Sequence, residues 1–252
     1  MLAVLPRGKF TDCDCRMETE MDYSYLDRNV GDIKKRISCA ASASGRAAGD
    51  ITLMAAVKSA DVGEINYIHK NLGICDVGEN RVQQLLEHWE GLEDREHLRM
   101  HFIGSLQTNK VKYIIDKVCL IHSLDSERLA AEIDRQAKKH GIVMDVLVEI
   151  NSGGEESKGG IEPSLAADFC RMLENYENIR LRGFMTMAPK CERKEDYFAY
   201  FGNTKRIADE VWKKVLGKDG EPIISMGMSE SFEEAIACGA TLVRVGRTMF
   251  VK

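Results

Sequence analysis

The sequence predicts a single closed α/β barrel of the TIM type, in which eight parallel strands alternate with helices. Three observations support this fold class: the length of 252 residues suits one such barrel, eight short apolar segments recur, and helical patterns lie between them. Eight strands in about 200 residues favour a closed barrel over an open doubly wound sheet. The predicted strands cover 51–57, 74–77, 99–104, 117–123, 143–150, 179–185, 222–226 and 241–245.

An amphipathic helix is predicted before the first strand, from about Tyr25 to Ala48, because apolar residues recur there at helical spacing. The clearest helices between strands are predicted at 126–140, 164–176 and 195–216. Little sequence follows the eighth strand, so we expect the barrel to lack its last helix and the leading helix to cover the gap. Residues 1–20 show no periodicity and are expected to form a disordered extension, which assigns the barrel to 21–252.

Charge and hydropathy exclude two classes of partner. The chain carries 35 Lys and Arg against 40 Asp and Glu, a net charge of −5, and shows no basic stripe interleaved with aromatic residues, so nucleic acid is not expected. No apolar run reaches membrane-spanning length, and the first ten residues are too short and too quickly charged for a signal peptide. We therefore expect a cytoplasmic protein that binds no membrane.

The eight cysteines agree with a reducing compartment. Six of them are scattered, mostly among apolar residues, and are expected to be reduced thiols. Cys13 and Cys15 form an isolated C-x-C without further ligands at a suitable spacing, so no metal site is predicted.

The last thirty residues predict a binding site for a phosphate group. Two short strands each run into small residues, with a helix between them that either Ser229 or Ser231 is expected to cap. Glu234, three residues after Ser231, would complete a capping box. Ser229 follows the first of these strands, and Gly246 with Arg247 follows the second. Exposed backbone N–H groups and a cationic side chain would converge there on an anion. Small residues after strands are also ordinary turn formers, so this stretch alone leaves both interpretations open.

Lys58 directly follows the first predicted strand, and barrel enzymes place their chemistry at the carboxyl ends of the strands. An apolar approach would lower the pKa of the amine, and a neutral lysine can form a Schiff base. An isolated lysine at a strand end is more often simply solvated. In a closed barrel, however, the first strand neighbours the eighth, so Lys58 lies beside the predicted phosphate site. A lysine next to a phosphate site suggests pyridoxal 5′-phosphate.

Arg244 lies within the eighth predicted strand, where its charge would point into the barrel and would require a partner. A pyridine nitrogen would serve, and a guanidinium would leave that nitrogen unprotonated because it holds its own proton more strongly. The alternative is a structural ion pair with Glu149 or Glu79.

Several segments, LMAAVKS, DVGENRVQ, HFIGSLQTNKVK, IHSLDS, EINSGGEESKGGI, LRGFMTM and SMGMSESFEEAIACGATLVRVG, resemble the YggS/PROSC family of pyridoxal phosphate homeostasis proteins. The resemblance covers residues 26–250. It implies the fold-type III barrel of alanine racemase's N-terminal domain and pyridoxal phosphate bound as a Schiff base on Lys58. It also implies phosphate contacts at Ser229, Gly246 and Arg247. Arg244 corresponds to the arginine at the pyridine nitrogen, and Asn80 and Met185 fall in pocket-lining segments.

One departure bears on the site, since the position of Arg247 is usually threonine in this family. Either its side chain or only its backbone amide would then contact the phosphate. The glycine-rich segment 152–160 is expected to be a surface loop or mobile lid.

Two functions are compatible with this site. The first is a homeostasis protein that stores, buffers or delivers pyridoxal phosphate, indirectly affects amino-acid and keto-acid balance, and turns over no substrate. The second is an amino-acid racemase, which needs acid–base groups on both faces of the substrate's α-carbon. In alanine racemases the opposing tyrosine comes from a C-terminal domain, which is not expected here. The first function is therefore favoured, with apo-enzymes as transient partners and a monomeric state.

Overall fold

The computed structural model describes residues 22–154 and 159–252. Eight parallel strands form a closed barrel in sequence order, which confirms the predicted fold class. The strands are β1 Thr52–Ala56, β2 Asp76–Glu79, β3 Arg99–Phe102, β4 Leu120–Leu124, β5 Met144–Glu149, β6 Ile179–Met185, β7 Ile223–Ser225 and β8 Leu242–Val245. The barrel closes through β1 and β8, where Thr52 pairs with Leu242 and Met54 with Arg244.

Each strand lies within or overlaps its predicted segment, with the largest shift at β2. The prediction ended this strand at Val77, whereas the structure continues it to Glu79 and pairs Gly78 with His101 on β3. A Cβ atom at Gly78 would lie 2.7 Å from the sulfur of Met54, so a glycine here lets the strand pass close to β1. Sequence reasoning interpreted this glycine as the end of the strand because glycine more often marks turns.

Eight α-helices accompany the strands in the part of the chain that the structure describes. They are α1 Ser24–Ala43, α2 Val62–Leu72, α3 Val82–Gly91, α4 Val111–Ile114, α5 Glu127–His140, α6 Ala166–Leu173, α7 Asp196–Asp209 and α8 Phe232–Ala237. Short 3₁₀ turns lie at Ala48–Asp50, Thr108–Lys110 and Pro163–Leu165, and α7 continues into a π-helical segment, Glu210–Val215.

The leading helix α1 completes the outer ring, as predicted. It packs against α8 on one side and α2 on the other, which is the place of a helix between β8 and β1. Its buried stripe includes Leu26, Val30, Ile33 and Ile37. On the partly exposed side, Arg36 binds both carboxylate oxygens of Glu233 on α8, at 2.9 and 3.0 Å. Burial of the apolar stripe is the main contribution of α1 to stability, since a partly exposed ion pair adds little.

The predicted capping box at the start of α8 is wrong. Ser231 is the N-cap residue, but its side chain accepts no hydrogen bond from the helix. Its hydroxyl instead accepts from the backbone N–H of Met228 at 3.3 Å, within the turn that follows β7. The Glu234 carboxylate lies 3.5 Å from the amine of Lys194. The Ser–x–x–Glu pattern therefore stabilises the turn and an inter-element contact rather than the helix end.

Several sequence expectations concern the remaining parts of the chain. Residues 1–20, with Cys13 and Cys15, lie outside the described residues, as do 155–158 of the predicted loop. Cys39, Cys75, Cys119, Cys170 and Cys238 are free thiols. No described helix is long and apolar enough to cross a bilayer. Across 22–154 and 159–252, no three metal-ligating side chains lie close enough to hold an ion.

Candidate functional site

A cavity of about 450 Å³ opens at the carboxyl ends of the strands, where the chemistry of barrel proteins is found. Six of the seven predicted site residues line it: Lys58, Asn80, Ser229, Arg244, Gly246 and Arg247. These residues follow or lie on β1, β2, β7 and β8, so barrel closure unites segments from both ends of the sequence.

The assignment of Met185 to this cavity is corrected by the structure. Met185 packs with Leu120 and Leu147 in a buried apolar cluster inside the barrel. It is the last residue of β6, and its inward side chain belongs to the barrel filling. Met187 lines the cavity instead. Alternation of side chains along an extended segment explains why a shift of two residues reaches the mouth.

Lys58 lies at the cavity wall two residues beyond the end of β1. Its turn is held by Gln84, whose amide donates to the Lys58 carbonyl at 2.8 Å. Val57 before it is fully buried, but Lys58 itself is exposed. The expectation of a desolvated amine is therefore wrong for this structure, although the lysine is positioned at the predicted cavity.

The predicted phosphate site is a small cup formed by the ends of β7 and β8. The backbone N–H groups of Gly246 and Thr248 both point to the Ser229 hydroxyl oxygen, each at 3.4 Å. The Thr248 hydroxyl is buried and has no hydrogen-bond partner among the described residues. Two backbone donors and the Ser229 hydroxyl thus meet where an anionic group could accept hydrogen bonds from them.

Gly246 is required at this cup for steric reasons. A Cβ atom there would lie 2.6 Å from the backbone oxygen of Ala56 on β1. The close approach brings the cup next to the turn that carries Lys58. The separation between the cup and the turn that carries Lys58 is therefore set by backbone packing between β1 and β8.

Arg247 lines the cavity, and its side chain is held by another residue of the cavity wall. Its guanidinium forms an ion pair with Glu230, and both side chains are largely exposed. The Arg247 charge is thus paired with a carboxylate at the cavity wall, and the backbone N–H groups that point to the Ser229 hydroxyl belong to its neighbours Gly246 and Thr248.

We predict that Arg247→Thr leaves the affinity for a phosphate-bearing ligand within about twofold of wild type, because exposed ion pairs contribute little. Ser229→Ala, in contrast, should weaken binding by about tenfold, the effect of one hydrogen bond to a charged group. Equilibrium titration with pyridoxal phosphate measures both variants. A larger loss for Arg247→Thr than for Ser229→Ala would contradict this arrangement.

Arg244 lies inside the barrel at the floor of the cavity and is buried. One terminal nitrogen, Nη1, donates to the carbonyl and the hydroxyl oxygen of Ser225, both at 2.7 Å. The other, Nη2, donates to the carbonyl of Thr186 at 2.9 Å. In the described part of the chain no carboxylate forms an ion pair with it, so the alternative of a structural pair with Glu149 or Glu79 is not observed.

Burial dominates the electrostatics around Arg244. It lowers the pKa of the guanidinium to about 10, with a smaller opposing effect from Glu149. Burial also raises the pKa of Glu149 to about 7, an effect that Asp125 reinforces and Arg244 opposes. Arg244 therefore remains a cation at neutral pH, held mainly by neutral oxygen atoms.

Several residues of the cavity region were not found from the sequence, among them Met187, Lys190, Tyr197 and Thr248. Thr248 contributes to the cup, and its place one residue after Arg247 was a usable signal. Tyr197 at the start of α7 and Lys190 line the wall, but no local pattern marks them. Asn80, which was predicted, presents a buried side-chain oxygen without a partner in the described residues.

The barrel and its cavity first define a broad class of proteins. The family model described as alanine racemase, N-terminal domain, matches residues 29–252. A curated protein from Aquifex aeolicus named pyridoxal phosphate homeostasis protein is 43% identical over 218 residues, covering 86% of this chain and 94% of that protein. A protein of the same name from Pseudomonas aeruginosa is 32% identical, covering 90% of this chain and 95% of the relative. The chain belongs to the family of pyridoxal phosphate homeostasis proteins.

Solved structures agree with this membership. A Bifidobacterium adolescentis protein of unknown function superposes with a TM-score of 0.83 at 33% identity, covering 91% of this chain and 97% of that one. PipY of Synechococcus elongatus, solved with PLP bound, gives a TM-score of 0.74 at 28% identity, covering 87% of this chain and all of the other. An alanine racemase of Clostridium difficile shares the fold, with a TM-score of 0.71 at 19% identity, and this chain covers 57% of it.

Proposed function

We propose that this protein binds pyridoxal 5′-phosphate through a Schiff base on Lys58 and stores, buffers or delivers it without turning over a substrate. The observation that carries the proposal is the juxtaposition of Lys58 with the cup of Ser229, Gly246 and Thr248 across the β1–β8 closure. The PLP-bound structure of PipY supports the choice of ligand.

The residues fit the parts of this ligand. The amine of Lys58 condenses with the aldehyde and releases water. The cup offers the phosphate the backbone N–H groups of Gly246 and Thr248 and the hydroxyl of Ser229. Arg244 at the cavity floor can donate a hydrogen bond to the ring nitrogen but keeps its proton, because its pKa stays well above neutrality even in this buried position. Pyridoxal phosphate supplies an electron sink when bound, and Arg244 would weaken that sink by leaving the nitrogen unprotonated.

Racemisation remains the competing function, and its second acid–base group is the deciding point. Tyr197 supplies the phenol among the described residues that line the cavity, and its oxygen accepts a hydrogen bond from the Cys191 N–H at 3.3 Å. It lies on the cavity side formed by α7. A racemase would depend on such a group, whereas a carrier would not.

The experiment compares turnover with delivery. Purified protein loaded with pyridoxal phosphate is incubated with L-alanine and other amino acids, and the products are separated by chiral chromatography. We expect no sustained inversion, and the same result for Tyr197→Phe. Continued cofactor-dependent inversion that Tyr197→Phe abolishes would establish the racemase instead.

Delivery is measured by mixing the loaded protein with an apo-enzyme that requires pyridoxal phosphate. Activity should appear at a rate that free cofactor, at the concentration set by the dissociation constant, does not reach. An equal rate would favour storage over delivery by contact. A transient encounter with apo-enzymes, a monomeric carrier and a cytoplasmic location are parts of the same proposal.

A further inference from the structure

A chain of buried polar side chains crosses the barrel interior from Arg244 to the amino-terminal end of the strands. Ser225 Oγ lies 2.7 Å from Arg244 Nη1 and 3.0 Å from His122 Nδ1. His122 Nε2 lies 3.0 Å from His101 Nδ1, and His101 Nε2 lies 3.0 Å from Asp76 Oδ1. The five residues come from β8, β7, β4, β3 and β2 and are all buried.

Such a chain is costly unless every member is satisfied, because an unpaired polar group in a barrel interior loses its water without compensation. Here each side chain bonds to the next. Ser225 and His122 are fully shielded from solvent, so their only partners are supplied by the protein. Because these polar groups lie among apolar barrel residues, the folded protein must keep the hydrogen bonds between them.

When both imidazoles are neutral, the hydrogen bonds of this buried series all run in one direction, from Arg244 to Asp76. Arginine can only donate, so Ser225 Oγ accepts from Arg244 and can pass its own hydrogen to His122 Nδ1. His122 then carries its proton on Nε2 and donates to His101 Nδ1. His101 in turn donates from Nε2 to the carboxylate of Asp76. A buried cation and a buried anion thus terminate a one-way series of hydrogen bonds.

The charges at the two ends agree with this polarity. Burial opposes ionisation of Asp76, but hydrogen bonds from His101 and Arg99 outweigh it and hold the pKa below its usual value. Burial lowers the pKa of the His122 imidazole far below its usual value, and electrostatic interactions with the neighbouring His101 and Arg244 side chains lower it further. His122 is therefore neutral at physiological pH and can serve as donor and acceptor at once.

The Asp76 end of this hydrogen-bonded series opens on a second cavity. This cavity of about 490 Å³ lies at the amino-terminal end of the barrel and is lined by Asp76, His101, Arg99 and Asp145, among others. Asp145 also binds an arginine, Arg180, but no member of the chain contacts it. Both carboxylates line this cavity and bind an arginine. Of the two, Asp76 is the one that the hydrogen-bonded series links to Arg244.

We propose that Ser225, His122, His101 and Asp76 are positioning residues, which fix the guanidinium of Arg244 toward the cofactor from a carboxylate at the opposite end of the barrel. The proposal rests on the proposed function, since Arg244 is taken to face the ring nitrogen of pyridoxal phosphate. Its physical basis is the pairing of Arg244 Nη1 with a hydroxyl whose own orientation is set by His122. Loss of any link leaves that hydroxyl, and then Arg244, less well defined.

The first test needs no cofactor. Long-range ¹H–¹⁵N NMR of the imidazoles in the ligand-free protein reports which nitrogen carries the proton. We expect the Nε2–H tautomer for both His101 and His122 at neutral pH. In Asp76→Asn the resonances of His122 should shift, whereas in the matched control Asp145→Asn they should remain as in wild type. A wild-type His122 with its proton on Nδ1, or equal spectra for both Asp variants and wild type, would overturn the chain.

The second test measures its effect on the cofactor. Ser225→Ala removes the hydroxyl and keeps two carbonyl partners of Arg244, so the dissociation constant for pyridoxal phosphate should rise about tenfold. Asp76→Asn should raise it about threefold, with a shifted visible absorption band, and Asp145→Asn should leave both unchanged. Thermal unfolding of each variant confirms that the fold is retained.

Unchanged affinity and spectrum in both Ser225→Ala and Asp76→Asn would overturn the positioning role. Wild-type protein that shows the expected tautomers but binds no pyridoxal phosphate would contradict the proposed function, and the orientation toward a cofactor would fall with it. Because the tautomers are measured without cofactor, they distinguish a wrong hydrogen-bonded series from a wrong cofactor site.

Discussion

Lys58→Ala is expected to abolish the covalent attachment of pyridoxal phosphate and the visible absorption band of the Schiff base. The alanine has no amine to condense with the aldehyde, and only the contacts of the cup and Arg244 remain. Because the covalent bond to the lysine is lost, the dissociation constant should rise about tenfold or more. A tenfold rise corresponds to about 1.4 kcal/mol of binding free energy. The visible spectrum and equilibrium titration measure both effects.

Lys190→Ala is the matched control, because Lys190 also lines the cavity and is also exposed. Lys190→Ala should keep the visible absorption band of the Schiff base. Borohydride reduction of the wild-type adduct, followed by peptide mass mapping, should place the cofactor on Lys58. An adduct on Lys190, or a Lys58→Ala protein that keeps the Schiff-base absorption band, would show that the lysine has been wrongly assigned.

Gly246→Ala should damage both the fold and the site. The added Cβ would lie 2.6 Å from the Ala56 oxygen, and both are backbone-fixed groups at the closure of the barrel. Relief requires β1 and β8 to separate where Lys58 and the cup meet. We expect a loss of about 2 kcal/mol in the free energy of unfolding, typical of overpacking at a rigid site, and about tenfold weaker cofactor binding.

Gly202→Ala is the matched control, and it is expected to raise the free energy of unfolding. Gly202 lies within α7, and a Cβ atom there would meet nothing within 4 Å. Alanine should therefore stabilise the protein by about 0.5–1 kcal/mol through its higher helix propensity, with cofactor affinity unchanged. Denaturant unfolding of the two variants measures the difference. Equal stability of Gly246→Ala and wild type would show that the barrel closure can relax at no cost.

Local patterns accounted for most of the barrel because strands and helices leave their periodicity in consecutive residues. The inward direction of Arg244 followed from alternation along β8 and is confirmed by its burial. The end of β2 was misplaced since Gly78 serves a close contact with Met54, which local sequence does not reveal. The position of Met185 failed for a similar reason, because its neighbours come from β4 and β5.

The features that were missed depend on contacts between distant segments. Ser225 and His122 are 103 residues apart in sequence, and only the stagger of the closed barrel brings their side chains together. Arg247 was expected near the anion from its place after β8, and only the structure shows that its side chain is paired with Glu230, in the loop between β7 and α8. The backbone N–H of Thr248 could be assigned to the cup only when its approach to the Ser229 hydroxyl, at 3.4 Å, was known.

The sequence by itself determined the fold class, the order of the elements and the two segments that meet at the mouth, because these follow from periodicity and from the closure of eight parallel strands. It also selected Lys58, Ser229 and Arg244 as the chemically important side chains. Only the tertiary structure decided which atoms face the cavity and how Arg244 is held. Side-chain direction and hydrogen-bond partners are set by the register between strands, and that register is a property of the whole barrel.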